Sequence, residues 1–461
     1  MHVAFASNLW VEHLGIMQVM GGLLPHGHRL SLHVSTRPRR LLRSLKEARP
    51  DVVAFSLTTN NALWAFDLAL QLRAALPAAR IVAGGPHPTL FPQAFANGQF
   101  DAVCVGEGDV AFAEWLGELE RGGTGEGVAN MWNCAPGTHE QIPLRPLADP
   151  LDTLPFAHRE PFYRRPFFGR CSFKTFLVSR GCAYNCRFCY NARFRTLLAS
   201  RGRYRRTMAP ERAVEEVAAV CGAHPTRLVL FEDDIFPYET DWLSAFVPLY
   251  RRRVGLPFII NARADLLSED NVALYKEAGV RAVSFGVQTA SESRRLKQLG
   301  TGLRDSVLAE AARLLHRHGV ALMTYNIFGL PGETAEDVFD TILFNRRLGA
   351  DYSRNGMFQP YPGLPLTEDT GFSDNRRLDV RTIYYHSVLG GPDERRMTNL
   401  QNFSNWMIRH RGFDGLVRWL ATLPPNPLFR GFFWLTFLSG IRRRLLMSWG
   451  EVARLVLRNA T

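Results

Sequence analysis

Short apolar runs alternate with segments of helical period over the first 120 residues. Strands are expected at 3–6, 30–34, 52–56, 81–83 and 102–105, and helices at 13–24, 41–48, 62–75, 92–96 and 110–119. Runs such as Val52-Val53-Ala54-Phe55 show no polar alternation, so both faces of their sheet must be covered. Apolar strands separated by helices predict an α/β, doubly wound parallel sheet of flavodoxin-like (Rossmann-type) form over 1–135. Ligands of such a sheet sit beyond the carboxyl ends of its strands.

A second alternation starts near 173. Strands are expected at 175–179, 228–231, 258–261, 282–287, 322–328 and 356–359, and helices at 210–221, 241–252, 269–278, 291–298, 303–318 and 335–348. Gly222, Gly279, Gly319 and Gly349 stand where left-handed helix ends would use them. Six strand–helix repeats predict a partial (β/α)6 barrel over 171–375, again with its site at the strands' carboxyl ends. A proline-broken connector, 136–170, separates the two halves. Residues 376–461, rich in Arg, Trp, Phe and Leu, predict a helical accessory tail.

Composition narrows the function. Of 461 residues, 46% are hydrophobic and 21% charged, which is globular rather than disordered. The net charge of +12 comes mostly from scattered arginine, so solvated faces are expected rather than a nucleic-acid partner. No secretory signal is visible, and no apolar run reaches the roughly 18 residues of a membrane span. The most apolar segment, 431–441, is followed by Arg442, Arg443 and Arg444. It is expected to pack as a helix; peripheral contact with a membrane surface is the less favoured reading. Three of seven cysteines fall within eight residues, which indicates a metal site in a reducing compartment, hence the cytoplasm.

Those three are Cys182, Cys186 and Cys189, in Gly181-Cys182-Ala183-Tyr184-Asn185-Cys186-Arg187-Phe188-Cys189. The loop follows the first strand of the second half and is long enough to wrap three thiolates around one iron–sulfur cluster. A structural zinc would need a fourth ligand. Cys171, Cys221 and His224 are the candidates, none at a usual finger spacing. The loop resembles that of the radical S-adenosylmethionine (SAM) superfamily, with Phe188 in its aromatic position. The resemblance implies a [4Fe–4S] cluster on the three cysteines, an open iron that chelates SAM, and cleavage of SAM to a 5′-deoxyadenosyl radical. It places the main chain of Tyr190 beside the adenine. A carboxylate of Glu232, Asp233 or Asp234 faces the SAM ammonium, with Glu232 and Asp233 the first candidates. Asn261 and Arg263 end the third strand near the SAM carboxylate or ribose. Gln288 stands where many relatives carry glutamate, and Gly329 lies in the late turn near adenine.

Three loops of the first half follow apolar strands: Ser56-Leu57-Thr58, Gly84-Gly85-Pro86-His87 and Gly106-Glu107. With Leu14-Gly15 they resemble the cobalamin-binding domain that precedes the radical SAM barrel in one large branch of the superfamily. The resemblance implies cobalamin on this face. The cobalt-ligating Asp-x-His-x-x-Gly motif is absent, and His13 is expected to start a helix. His87 would either touch the corrin or cap its loop. The whole pattern implies a cobalamin-dependent radical SAM enzyme that methylates an unactivated carbon of a small molecule. The alternatives are radical cyclisation, rearrangement or oxidation without methyl transfer, as in anaerobic porphyrin-ring cyclases, and a non-catalytic cobalamin or redox sensor. An electron donor such as a flavodoxin or ferredoxin is also implied.

Overall fold

The computed structural model describes residues 1–134, 142–372 and 389–459. The chain divides into two compact units. The first holds residues 1–171, 194–206 and the chain from Ala453; the second holds 172–193 and 207–452.

The first unit is built on β1 (His2–Ser7), β2 (Arg29–Val34), β3 (Val52–Ser56), β4 (Arg80–Gly84), β5 (Ala102–Cys104) and β6 (Met131–Asn133). The sheet order is β2-β1-β3-β4-β5-β6, with only β6 antiparallel to its neighbour. The helices are α1 (Leu14–Leu23), α2 (Pro38–Ala48), α3 (Thr59–Ala75), the short α4 (Pro86–Leu90) and α5 (Ala111–Glu120). Val3, Val52, Val53 and Ile81 are fully buried, as expected of strands covered on both faces. β6 has only three residues, too few to show a period, and its Trp132 packs on the core. The helix expected at 92–96 is a single 3-10 turn, Pro92–Phe95. The start of the expected connector, at 136, lies outside the described residues. From Ile142 onward the chain packs on this unit. Asn130 N donates to Pro143 O at 2.7 Å, and His158 N to Met17 O at 2.8 Å.

The second unit contains β7 (Phe173–Phe176), β8 (Leu228–Phe231), β9 (Phe258–Asn261), β10 (Val280–Gln288), β11 (Ala321–Phe328) and β12 (Tyr352–Met357). Its sheet is parallel throughout and ordered β12-β11-β10-β9-β8-β7. Each strand lies beside its neighbour in sequence, the arrangement of a partial barrel. After the cysteine loop comes α6 (Tyr190–Leu197); the later crossovers use α7 (Pro210–Ala223), α8 (Thr240–Arg253), α9 (Glu269–Ala278), α10 (Asp305–Arg317) and α11 (Ala335–Arg347). Gly279, Gly319 and Gly349 have positive φ of 99°, 60° and 71° at helix ends. Gly222 does not, because α7 continues through it to Ala223. The segment expected as a helix at 291–298 forms one π turn, Arg294–Gln298.

β12 was expected four residues later than its start at Tyr352. It hides from a hydrophobic pattern because Ser353 and Asn355 are buried polar residues. Asn326 donates to Ser353 Oγ at 2.7 Å and to Asn355 Oδ1 at 2.8 Å, and Asn355 donates to Ser404 Oγ at 2.7 Å. Pairing of this kind makes buried amides tolerable in a core.

The tail is helical: α12 (Glu394–Arg409), α13 (Asp414–Thr422), α14 (Pro427–Arg444) and α15 (Trp449–Asn459). Residues 373–388, which hold its expected start, lie outside the described residues. Met397, Leu400, Phe403 and Met407 of α12 join the main core of the second unit. The apolar segment is the body of α14, with Phe429 and Phe433 buried and Phe432 against the same core. Arg442, Arg443 and Arg444 occupy its last turn, where cations meet the carbonyl end of the helix dipole. Among the described residues no helix is long and apolar enough to cross a membrane.

Candidate active site

The cysteine loop is fastened to the second unit before it reaches its first thiol. Asp233, fully buried just after β8, accepts from Val178 N at 3.0 Å, Ser179 N at 2.6 Å and Ser179 Oγ at 2.6 Å, all on Oδ1. Oδ2 is buried with no protein partner. Burial pushes this carboxyl up to about 7, against the pull of those three donors. Gly181, at φ 80°, then turns the chain into Cys182. The far side is held by Arg187. Its N donates to Leu299 O at 2.9 Å, and its guanidinium reaches both oxygens of Asp369. Phe188 packs against the small apolar cluster of Leu299, Leu330, Phe358 and Leu366.

All three thiols are free and partly exposed. Burial raises each, Cys189 to about 12. Cys182 and Cys189 both feel the charge of Cys186, so the three stand within electrostatic reach of one another. Among the described residues no three Cys, His, Asp or Glu side chains are drawn together as ligands of a single ion. A multi-iron cluster spaces its thiolates more widely than one ion does, and the donor set suits it. Arg263 Nη1 points at Cys186 Sγ, 3.9 Å away, and Asn191 Nδ2 at Cys189 Sγ, 3.8 Å away. Hydrogen bonds to ligating sulfur tune such sites.

The carboxylate beside the thiols is Asp234. Its charge raises Cys182 and Cys189, and burial raises its own pKa while a hydrogen bond from Asn191 lowers it. Asp234 keeps an exposed surface. Its neighbours are placed differently. Asp233 turns inward to hold backbone amides, and Glu232 is exposed. Arg263 is engaged by the protein. It stacks on Tyr184 at 3.7 Å, pairs with Asp265 at 2.8 Å and donates to Thr301 O, so it braces the cysteine loop. Asn261 lies between Asp233 O, at 3.0 Å, and the Tyr325 hydroxyl, at 3.0 Å. Tyr190 starts α6, with its ring 5.4 Å from that of Tyr361.

Gln288 ends β10 at φ 67°, a left-handed conformation that costs a non-glycine residue about 1–3 kcal/mol. Its amide folds back over Gly286, where a Cβ would stand 2.2 Å from Nε2. Gly329, at φ 75°, gives its N–H to Glu333 Oε2 at 2.7 Å. Glu333 was not singled out from the sequence. It is buried, accepts also from Leu330 N and Thr289 Oγ1, and is pushed by burial to about 7. Its position one residue after the Gly329-Leu330-Pro331-Gly332 turn was the available signal.

In the first unit the loops after β3 and β4 interlock through backbone, and Gly106 N, after β5, donates to Thr89 Oγ1 at 3.0 Å. Leu57 N donates to Gly84 O at 2.8 Å, and His87 N to Leu57 O at 3.0 Å. Gly85 has φ 97°, and a Cβ there would meet Leu57 N at 2.8 Å. Gly84, Gly85 and Gly106 are half-exposed and Gly15 and Thr58 exposed, so peptide groups rather than side chains floor this rim. Such a floor suits a broad flat ring. Ser56 and Leu14 are half-buried at its edge, while the Leu57 side chain is buried. Of the two places open to His87, the structure shows it inside its loop. Its ring bonds Thr59 Oγ1 at 3.1 Å, lies against Phe91, and is held near pKa 4 by burial. Glu107 is also engaged, in a bidentate pair with Arg206 at 2.6 and 3.1 Å. His13 caps α1 by accepting from Ile16 N at 3.4 Å. Cys104 and Cys134 are core thiols, each raised to about 12 by burial.

Residues 176–344 match the radical SAM superfamily, and residues 6–116 match the B12 binding domain. The chain belongs to the B12-binding branch of the radical SAM superfamily. The cofactors of this radical SAM enzyme are a [4Fe–4S] cluster, SAM and cobalamin. An uncharacterized methyltransferase of Pyrococcus horikoshii is 27% identical over 71% of this chain and 71% of its own. The anaerobic magnesium-protoporphyrin IX monomethyl ester cyclase of Rubrivivax gelatinosus is 24% identical over 70% of this chain, which spans 59% of the cyclase. In fold the chain is similar to the radical SAM methyltransferase TsrM of Kitasatospora setae, solved with cobalamin and a [4Fe–4S] cluster. The TM-score is 0.61 at 15% identity, over 95% of this chain and 99% of that one.

Proposed function

We propose that this radical SAM enzyme is a cobalamin-dependent methyltransferase acting on an unactivated carbon of a small molecule. One observation carries the reading: the three-thiol loop, with Asp234 beside it, shares a chain with a backbone-floored rim in a B12 binding domain. The likeness to an uncharacterized methyltransferase supports it. When bound, the cluster supplies the electron that cleaves SAM, and cobalamin supplies the methyl group.

The residues divide the work. Cys182, Cys186 and Cys189 hold the cluster, and the Arg263 charge favours the thiolate of Cys186. Asp234 receives the SAM ammonium. The main chain at Tyr190, with Asn261, Gln288 and Gly329, borders the rest of SAM. Ser56, Thr58, Gly84, Gly85 and Gly106 seat the corrin, with Leu14 and Gly15 at its edge. Leu57 and Glu107 support those loops rather than touch the ring. An electron donor such as a flavodoxin or ferredoxin would serve the cluster, and the free thiols suit the reducing cytoplasm.

A second reading, cyclase-like radical chemistry without methyl transfer, is favoured by the likeness to the magnesium-protoporphyrin cyclase. Anaerobically reconstituted enzyme with cobalamin and methyl-labelled SAM separates the two. Label recovered on cobalamin supports methyl transfer. Deoxyadenosine without labelled cobalamin would leave the cyclase-like reading.

A further inference from the structure

At the carboxyl end of β2, the first unit encloses a cavity of about 180 Å³. Four arginines line it: Arg37 and Arg40 at the start of α2, Arg165, and Arg458 of α15. Among the described residues no carboxylate lines it. Ser35 and Thr36, at the strand end, add hydroxyls.

Two of the arginines are held by contacts with the protein, while Arg37 and Arg40 are exposed. Arg458 stacks over the Trp10 ring at 4.7 Å, and Trp10 itself packs against Phe167 and Phe168. Arg165 donates to Leu32 O, and burial lowers its pKa with no acidic partner to offset that. His33, on the same strand end, is held near pKa 4 by burial, then by the charges of Arg165 and His2, so it stays neutral at pH 7. The outer side of α2 adds Arg39, Arg43, Lys46 and Arg49, all exposed, against the single acid Glu47. Like charges gathered around one concavity destabilise the empty pocket and raise the local concentration of anions.

We propose that this cavity binds the phosphate group of a small phosphorylated molecule, mono- or diphosphate. Guanidinium forks match phosphate oxygens two at a time, which favours phosphate over a simple halide. The volume is below the roughly 300–1,000 Å³ of a pocket that swallows a whole ligand, so it takes the charged head and leaves the remainder outside. The site is distinct from the glycine rim. In the order β2-β1-β3, β2 lies two strands, about 10 Å, from β3.

Calorimetry on the full chain at low salt, with inorganic pyrophosphate as probe, tests the assignment. One saturable site is expected. Arg40→Gln and Arg458→Gln should each weaken it about tenfold or more, the loss of a charge-assisted hydrogen bond. Both side chains are exposed, so the variants should fold, and unchanged melting curves would verify this. Arg43→Gln, on the adjoining face of α2, should bind as wild type. Vesicles of phosphatidic acid, compared with phosphatidylcholine, identify the source. Sedimentation with phosphatidic acid that Arg40→Gln abolishes assigns the pocket to a lipid headgroup; pyrophosphate binding alone assigns it to a soluble phosphate. Absence of saturable pyrophosphate binding would overturn the proposal. So would affinity indifferent to Arg40 and Arg458, or binding that hydroxocobalamin competes away.

Discussion

At the carboxyl ends of β3, β4 and β5 the first unit presents Gly84, Gly85 and Gly106 with Ser56 and Thr58, a rim with hardly a charge free to act. At the carboxyl ends of β7, β8 and β9 the second unit presents three thiols, Asp234 and Arg263. The sheets share parallel strands and the same place for ligands, yet their loops use different physics. A large flat ring is best seated by shape, and the first unit has its side chains out of the way, with His87 and Glu107 turned inward. A cluster and a charged sulfonium are held by ligation and charge, so the second unit keeps ionisable groups at the rim and fixes them from behind. The same fold principle thus positions two cofactors, and the loops decide which.

The contrast can be broken on each side. The largest effect is expected from Arg206→Ala, which strands the Glu107 carboxylate behind the glycine rim. Arg206 is buried and Glu107 only partly so, and removing one partner of such a charged hydrogen-bonded pair costs about 3 kcal/mol. Differential scanning calorimetry should show that loss in the melting of the first unit. Gly85→Val comes next, because its Cβ meets backbone at 2.8 Å. Cobalamin affinity should fall about a hundredfold, near 3 kcal/mol, while iron content stays constant. Asp234→Asn should act only on the second unit. It should weaken SAM binding about tenfold to a hundredfold, the worth of one charged hydrogen bond, without loss of iron or cobalamin.

The smallest effect sharpens the comparison rather than breaking it. Asp233 has a pKa near 7 in the native protein, above its value in the unfolded chain. The folded state therefore holds that proton more tightly, and stability falls as pH rises from about 4 to 7. Asp233→Asn keeps an oxygen for Val178 and Ser179 but cannot ionise. Its denaturation midpoint should vary less with pH over that window than wild type.

Much of this was legible in the sequence, for physical reasons. Runs such as Val52-Val53-Ala54-Phe55 announce strands buried on both faces, and thiols at 182, 186 and 189 have few structural uses. β12 was misplaced because Ser353 and Asn355 are buried through hydrogen bonds that no hydrophobic pattern contains. The placement of Glu232, Asp233 and Asp234 was closed to sequence. Asp233 turns inward to the amides of Val178 and Ser179, more than fifty residues away. Glu333 was missed for a like reason, since its partners span from Thr289 to Leu330. The arginine cavity joins positions 37, 40, 165 and 458, which only the folded chain assembles.

The central claim is that Cys182, Cys186 and Cys189 ligate the cluster while the other thiols do not. Iron counting and electron paramagnetic resonance, after anaerobic reconstitution and reduction, test it directly. The variant with all three replaced by alanine should hold no reducible [4Fe–4S] cluster and cleave no SAM. Replacement of Cys104, Cys134, Cys171 and Cys221, one at a time, should leave four irons and an unchanged spectrum. A triple variant that keeps four irons and the wild-type signal would contradict the account.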